Sequence, residues 1–153
     1  MNFTEAIQKI PEIAECLENG LQALERQDKT KIKVNASREL KGSVYIDKCL
    51  EKRYPNEHRW DYVFGYRDRI YYVEVHPADN TRKVREVTAK LRWLKQWCKL
   101  SAKNLEGLKG QSTYHWISTG KTASSVKRGK YLQILAQNGI RGPDAVLNAD
   151  TVP

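Results

Sequence analysis

The stretch WDYVFGYRDRIYYVEVHP, residues 60–77, decides the fold. Two runs of aromatic and β-branched residues flank a charged Arg-Asp-Arg segment at positions 67–69, and this pattern predicts a β-hairpin. Side chains alternate between the two faces of a strand, so Glu74 and His76 lie on the same face of the second strand. The hairpin therefore carries an acid and an imidazole side by side near one end.

The face occupied by Asp61, at the start of the first strand, depends on the turn. A two-residue turn at Asp68-Arg69 pairs Val63 with Glu74 and Asp61 with His76, which brings both carboxylates and the imidazole to one face. A three-residue turn slips the register by one residue and sends Asp61 to the opposite face.

Length and composition predict one globular domain. The chain has 153 residues, of which 40% are hydrophobic and 29% charged, with a mean hydropathy of -0.70; these values suit a soluble protein with well-solvated faces. No apolar run reaches membrane-spanning length, and the N-terminus lacks the basic and apolar regions of a signal peptide. We expect a cytoplasmic protein with no membrane partner.

The three cysteines are scattered and odd in number. Cys16, Cys49 and Cys98 each lie in a helix-like pattern. This spacing predicts reduced, buried thiols.

Charge is unevenly distributed along the chain. Residues 1–28 hold two bases and six acids, a net charge of -4, whereas residues 29–153 hold 25 bases and 12 acids, a net charge of +13. A basic body suits a polyanionic partner because lysines and arginines displace counterions from phosphates. Solubility alone is the alternative explanation.

Hydrophobic periodicity divides the chain into three regions. They are an acidic helical N-terminal arm (residues 1–28), an α/β core (29–140) and an irregular C-terminal tail (141–153). Within the core we predict an edge strand at 29–35, a helix at 37–52, the hairpin, a helix from about 80 to 103, a strand at 112–118 and a helix at 126–137. The fold class is mixed α/β, with a small mainly antiparallel or mixed sheet of about four strands flanked by helices. The arm packs on the basic body or joins a second copy of the chain in a homodimer, and the sequence leaves both alternatives open.

Two neighbouring carboxylates on one sheet face need a positive partner, because like charges disfavour each other's ionised form. A divalent metal is the usual solution, and hard oxygen ligands favour Mg²⁺ or Mn²⁺. Such an ion stabilises charge on phosphate oxygens and lowers the pKa of a bound water. Asp61 and Glu74 are thus candidate ligands for a metal that acts on a phosphodiester.

The order of these elements and residues resembles the PD-(D/E)XK, or restriction-endonuclease-like, nuclease superfamily. The similarity comprises an acid-bearing helix, Asp61 at the start of one strand, Glu74-Val75-His76 in the next, and then helix, strand and helix, over roughly residues 37–139. It implies Asp61 and Glu74 as metal ligands.

The resemblance also implies a third acid from the first helix, and a lysine. For the acid we prefer Asp47 over Glu39 or Glu51. The lysine that follows the glutamate in the family is His76 here. Some relatives take the lysine from the following helix, where Lys83 and Lys90 are available. Helical spacing places Lys90 on the same face of that helix as Val87 and Leu94.

These expectations describe a Mg²⁺- or Mn²⁺-dependent nuclease, with DNA preferred over RNA as partner. Asp61, Glu74 and Asp47 hold the metal, and His76 and Lys90 act on the water. Further basic residues are candidates for phosphate contact: Lys83, Lys121, Lys127, Arg128 and Lys130. The alternative is a non-catalytic basic module that binds nucleic acid or an acidic protein.

Overall fold

A five-stranded mixed sheet forms the centre of the fold in the computed structural model, which describes every residue from Met1 to Pro153. The strands are β1 (Ile32–Lys33), β2 (Leu40–Tyr45), β3 (Tyr62–Tyr66), β4 (Arg69–Pro77), β5 (Ser112–Thr119), β6 (Ile140–Asp144) and β7 (Leu147–Asn148). The main sheet has the order β2-β3-β4-β5-β6, and β1 and β7 form a separate parallel pair. β2, β3 and β4 are antiparallel neighbours, whereas β4, β5 and β6 run parallel. The predicted mixed α/β class is confirmed, with five strands in the main sheet rather than about four.

Six α-helices accompany the strands: α1 (Phe3–Gln8), α2 (Arg26–Lys29), α3 (Ile46–Leu50), α4 (Arg82–Ser101), α5 (Lys103–Glu106) and α6 (Gly129–Gln137). The 20-residue α4 is the longest and connects the parallel strands β4 and β5. It matches the predicted helix closely because its apolar residues recur at three- and four-residue steps. The residues of that stripe are buried: Val84, Val87, Leu91, Leu94 and Cys98. None of the helices combines the length and apolar character needed to span a bilayer.

Each face of the sheet has its own hydrophobic core. On one face, Val63 of β3 and Tyr72 of β4 belong to a cluster of 24 buried residues that includes the apolar sides of α1 and α4. On the other face, Phe64 and Tyr71 belong to a cluster of 11 that includes residues near both chain ends. Glu74 is two residues beyond Tyr72 on β4 and therefore faces α4.

The hairpin turn lies one residue earlier than predicted. Tyr66 pairs with Arg69, so the turn residues are Arg67 and Asp68, and Arg67 takes a positive φ of 56°. Val63 consequently pairs with Tyr72 rather than with Glu74. The predicted register is thus wrong by two residues. A shift of two preserves the alternation of faces, so Asp61 stays on the face of Glu74.

The N-terminal arm, predicted to be helical over residues 1–28, is helical only in part. α1 ends at Gln8, and Gly20 takes a φ of +53°. Glu18 pairs with Ser43 of β2, so the segment crosses the edge of the sheet there. Apolar residues of the arm that recur at helical spacing are buried on opposite faces of the sheet. Ile10 and Ile13 lie on one face, and Leu21 and Leu24 lie on the other. The segment therefore packs on its own body.

Two further element predictions are wrong. The helix predicted for residues 37–52 is the strand β2 followed by the short α3. The tail predicted to be irregular contains β6, which extends the main sheet, and β7, which pairs with β1. Both tail strands depend on partners far away in the sequence, which local patterns do not reveal.

The prediction of three reduced cysteines is also wrong. Cys16 and Cys49 form a disulfide across a sequence separation of 33 residues, and only Cys98 is free and buried. The bridge joins the segment after α1 to α3.

Candidate active site

Glu74 lies at the centre of a polar cluster between β4 and α4. Its side chain has no exposed surface. Oε1 accepts a hydrogen bond from the backbone N–H of Asp61 at 3.0 Å, and Oε2 accepts one from Nζ of Lys90 at 2.5 Å. Both oxygens are therefore engaged, as the burial of a carboxylate requires.

Asp61, immediately before β3, is held by the opposite strand. Its Oδ2 accepts a hydrogen bond from the backbone N–H of Val75 at 3.0 Å, while its own N–H donates to Glu74. Oδ1 makes no hydrogen bond within the protein and lies 4.0 Å from Nζ of Lys90. The two carboxylates are thus fixed by reciprocal bonds across the hairpin, with one oxygen of Asp61 left free.

The charges within the cluster strongly affect one another. Burial and the neighbouring charge of Glu74 raise the pKa of Asp61 to about 8, although Lys90 opposes this rise. Burial alone would lower the pKa of Lys90, but attraction to Glu74 and Asp61 outweighs it and raises that pKa. Lys90 is therefore a permanent cation at neutral pH. Lys90 therefore offsets one negative charge, and the raised pKa of Asp61 means that this acid holds its proton more tightly than a free aspartic acid does.

His76 extends the cluster toward the N-terminal half of α4. Nε2 donates to Oε2 of Glu86 at 2.7 Å, and Nδ1 lies 3.5 Å from Oε2 of Glu74. The contact with Glu74 raises the pKa of His76 against the opposing effect of burial, and Glu86 adds to the rise. Glu86 has its own pKa lowered by His76. The imidazole thus joins two carboxylates.

The third predicted ligand, Asp47, lies beside the cluster without joining it. Its backbone N–H contacts the carbonyl oxygen of Asp61 at 3.3 Å, but its Oδ1 accepts from Nε of Arg59 at 2.9 Å. The alternative acid Glu39 pairs with Arg67 at the hairpin turn. Asp47 is thus the better placed of these two acids, although an arginine already neutralises it.

Two members of this region, Glu86 and Arg59, were not predicted from the sequence. Glu86 stands four residues before Lys90, a spacing that places both on one helix face and was a usable signal. Arg59 reaches Asp47 from the connection before β3, and no sequence spacing indicates that contact.

The oxygen ligands in this cluster come from two carboxylates, Asp61 and Glu74. No three side chains of the His, Cys, Asp and Glu types come together as a ready metal-binding group. Mg²⁺ commonly binds through only one or two carboxylates and completes its shell with water and substrate phosphates. Asp61 and Glu74 supply two carboxylates here, and Oδ1 of Asp61 is the one oxygen of the pair without a hydrogen bond inside the protein.

The predicted phosphate-contacting residues have different surroundings. Lys83 lies 3.7 Å from Glu86, and Lys127 lies 3.7 Å from Asp144. Lys130 stands over the ring of Tyr131. Lys121 and Arg128 are exposed and make no ion pair.

Searches of protein families, of curated proteins and of solved structures find no match to this chain. The side chains around Glu74 are therefore the basis for a functional proposal.

Proposed function

We propose that this chain is a metal-dependent nucleic-acid phosphodiesterase of the PD-(D/E)XK type. The supporting observation is the convergence of Asp61, Glu74 and Lys90 on one face of the sheet. Lys90 reaches Glu74 from α4, so a lysine ammonium is present although β4 itself carries His76 at the position of the family's lysine. The chain forms an antiparallel hairpin, then a helix, a parallel strand and a second helix. This order agrees with the family resemblance.

Each side chain has a distinct part in this proposal. Asp61 and Glu74 would hold Mg²⁺ or Mn²⁺, and the ion would stabilise charge on a phosphate and lower the pKa of a bound water. Lys90 has three donor positions and uses one on Glu74, so the others can orient a water or a phosphate oxygen. His76 holds a proton between Glu86 and Glu74, and Asp47 lies at the edge of the site, paired with Arg59.

The surface charge favours nucleic acid as the substrate, and we propose DNA rather than RNA. The body of the chain, residues 29–153, carries a net charge of +13. Such a surplus attracts phosphate backbones through counterion release. The exposed bases Lys121 and Arg128 are available for that contact.

Nuclease assays with isosteric variants test the proposal. Plasmid DNA and RNA are incubated with Mg²⁺ or Mn²⁺, and cutting by the wild type is compared with Glu74→Gln and Asp61→Asn. We expect a loss of about 100-fold or more in each variant. Glu51→Gln, which changes an exposed acid without an ion pair, is the matched control and should cut normally. Cutting by Glu74→Gln at the wild-type rate, or no cutting by the wild type, would overturn the proposal.

Metal binding provides a second readout. Titration of Mn²⁺, followed by calorimetry or by electron paramagnetic resonance, should show one site that Asp61→Asn weakens at least tenfold. Equal Mn²⁺ affinity in the wild type and Asp61→Asn would contradict the assignment of Asp61.

The alternative function is a non-catalytic module that binds nucleic acid or an acidic protein. Two observations favour it: His76 stands in place of the strand lysine, and Arg59 neutralises Asp47. In that case the wild type shifts DNA in a salt-dependent manner and leaves it uncut, with and without Mg²⁺.

A cytoplasmic location also belongs to the proposal. The Cys16–Cys49 bridge counts against it, because disulfides are typical of oxidising compartments. The apolar residues of the N-terminal segment are buried in the chain's own core. They are therefore not exposed for homodimerisation.

A further inference from the structure

A second polar site lies at the N-terminal end of α4, next to the Glu74 cluster. It is an open cavity of about 390 Å³, lined by Asn80, Thr81, Arg82, Arg85 and Tyr131. Its volume lies in the range of ligand-binding pockets. All of these side chains can donate hydrogen bonds, and no acid lines the cavity, so its chemistry suits an anion.

The two arginines lack partners. Neither the Arg82 nor the Arg85 guanidinium lies within 4.0 Å of a carboxylate, whereas Lys83, between them in sequence, is paired with Glu86. A guanidinium presents a planar fork of donors that matches phosphate oxygens. Two such forks on one wall of a cavity form a receptor for a phosphate group.

Tyr131 of α6 closes the opposite side of the cavity. A hydrogen bond from Thr81 and the positive charges of Lys130 and Arg85 lower the pKa of Tyr131. The hydroxyl therefore lies in a positive field, in which it donates readily to an anion.

The helix connects this cavity to the Glu74 cluster. Arg82, Glu86 and Lys90 follow at steps of four residues and share one side of α4. Glu86 contacts His76, and Lys90 contacts Glu74. The eight residues from Arg82 to Lys90 span about 12 Å of helix.

We propose that Arg82, Arg85, Thr81 and Tyr131 bind a backbone phosphate of the nucleic-acid substrate, at a position about 12 Å along α4 from Lys90. The inference rests on the proposed function for the identity of the ligand. In this proposal the cavity positions the nucleic-acid strand along α4, so that the bond to be cut lies at Asp61 and Glu74.

Binding of fluorescently labelled duplex DNA in EDTA tests the cavity without cutting. Anisotropy titrations at several salt concentrations give the affinity and its salt dependence. In Arg82→Ala/Arg85→Ala, affinity should fall about tenfold per arginine. The slope of log K against log salt should become less steep by about 0.9, because one phosphate is no longer neutralised. Tyr131→Phe should weaken binding less and leave the slope unchanged.

Arg92→Ala/Lys99→Ala is the matched control. Both residues are exposed on the same helix, form no ion pair and carry the same total charge as the test pair. This control should change the slope by less than half as much. Thermal melting shows that each variant is folded.

The outcomes for the cavity and for the enzyme are separable. Wild-type affinity and slope in Arg82→Ala/Arg85→Ala, or equal losses in the control, overturn the cavity assignment even if the wild type cuts DNA. No binding of DNA by the wild type at 50 mM salt overturns it as well. Wild-type binding without any cutting, combined with the expected slope change, supports the cavity while the proposed nuclease activity fails.

Discussion

Nζ of Lys90 lies 2.5 Å from Oε2 of Glu74, a carboxylate with no exposed side-chain surface. The two residues are 16 positions apart and come from different elements, β4 and α4. Their contact neutralises a buried charge and fixes the helix against the sheet. It also places a cation beside Asp61, where the proposed chemistry needs one.

Lys90→Met should destabilise the fold by about 3–5 kcal/mol, because it removes the ammonium that hydrogen-bonds the buried Glu74 carboxylate and leaves His76, at 3.5 Å, as its remaining basic neighbour. Glu74→Gln/Lys90→Met should recover most of that loss, since neither remaining side chain is charged. Nuclease activity should be lost in both variants. Urea unfolding at pH 7 measures the free energy of unfolding of each variant, and the DNA-cutting assay measures its nuclease activity.

Lys99→Met is the control for the loss of a lysine on the same helix. Lys99 is exposed, and its removal should change stability by no more than about 0.5 kcal/mol. A cost for Lys90→Met as small as that for Lys99→Met would show that the pair adds nothing to folding.

Gly65→Ala should destabilise the protein by about 1–3 kcal/mol through overpacking. A Cβ at Gly65 would lie 2.7 Å from Cγ of Phe3, whose ring packs α1 on the sheet. Phe3→Leu should reduce the cost of Gly65→Ala, because it removes the crowded ring atoms. Thermal unfolding of the two single variants and the double variant measures this coupling.

Gly110→Ala provides the comparison, since a Cβ there has no neighbour within 4 Å. It should be nearly neutral. Equal effects of the alanine substitutions at positions 65 and 110 would contradict the close approach of α1 to β3.

The predictable parts of this fold are those that local periodicity determines. The hairpin, α4 and β5 follow from alternation and from three- and four-residue steps within the sequence. The face shared by Asp61 and Glu74 was predictable because the parity of a strand survives a register shift of two. Lys90 was predictable from its position on the stripe of α4.

The remaining parts depend on long-range contacts. Ile10, Ile13, Leu21 and Leu24 have helical spacing, yet their burial on two faces reflects a chain that crosses the edge of the sheet. β7 exists because Leu147 pairs with Ile32, 115 positions earlier. The ion pair between Arg59 and Asp47 likewise follows from where the chain folds back. The hydrophobic pattern therefore identified the buried residues correctly but predicted the wrong secondary structure for the segments that carry them.

The Cys16–Cys49 disulfide should leave one reactive thiol in the unfolded, unreduced protein and three after reduction. In the native protein no thiol should react quickly, because burial raises the pKa of Cys98 to about 12. Loop-closure entropy for a separation of 33 residues corresponds to about 4 kcal/mol of stability lost on reduction. Thiol titration and urea unfolding with and without reductant measure both effects. Three reactive thiols without reductant would show that the bridge does not form.

His115 should make the protein less stable as the pH falls from about 6.5 to about 4. Burial lowers the pKa of His115 to about 4, and the charges of Arg141 and Arg69 contribute. In the unfolded chain the imidazole takes up a proton near pH 6.5, so between these values the unfolded state binds more protons than the native state. The free energy of unfolding therefore drops by about 3 kcal/mol across this window and is unaffected by this group outside it.

The difference in unfolding free energy between the wild type and His115→Gln isolates the contribution of His115. Glutamine retains a hydrogen-bonding group for Thr113, whose hydroxyl lies 2.7 Å from Nε2 of His115. The titration of His76 has the opposite sign, because its raised pKa stabilises the fold at low pH, and this effect cancels in the comparison. The wild type should lose stability relative to His115→Gln between pH 6.5 and pH 4. A constant difference across that range would contradict this prediction. It would mean that the imidazole protonates as readily in the native state as in the unfolded chain.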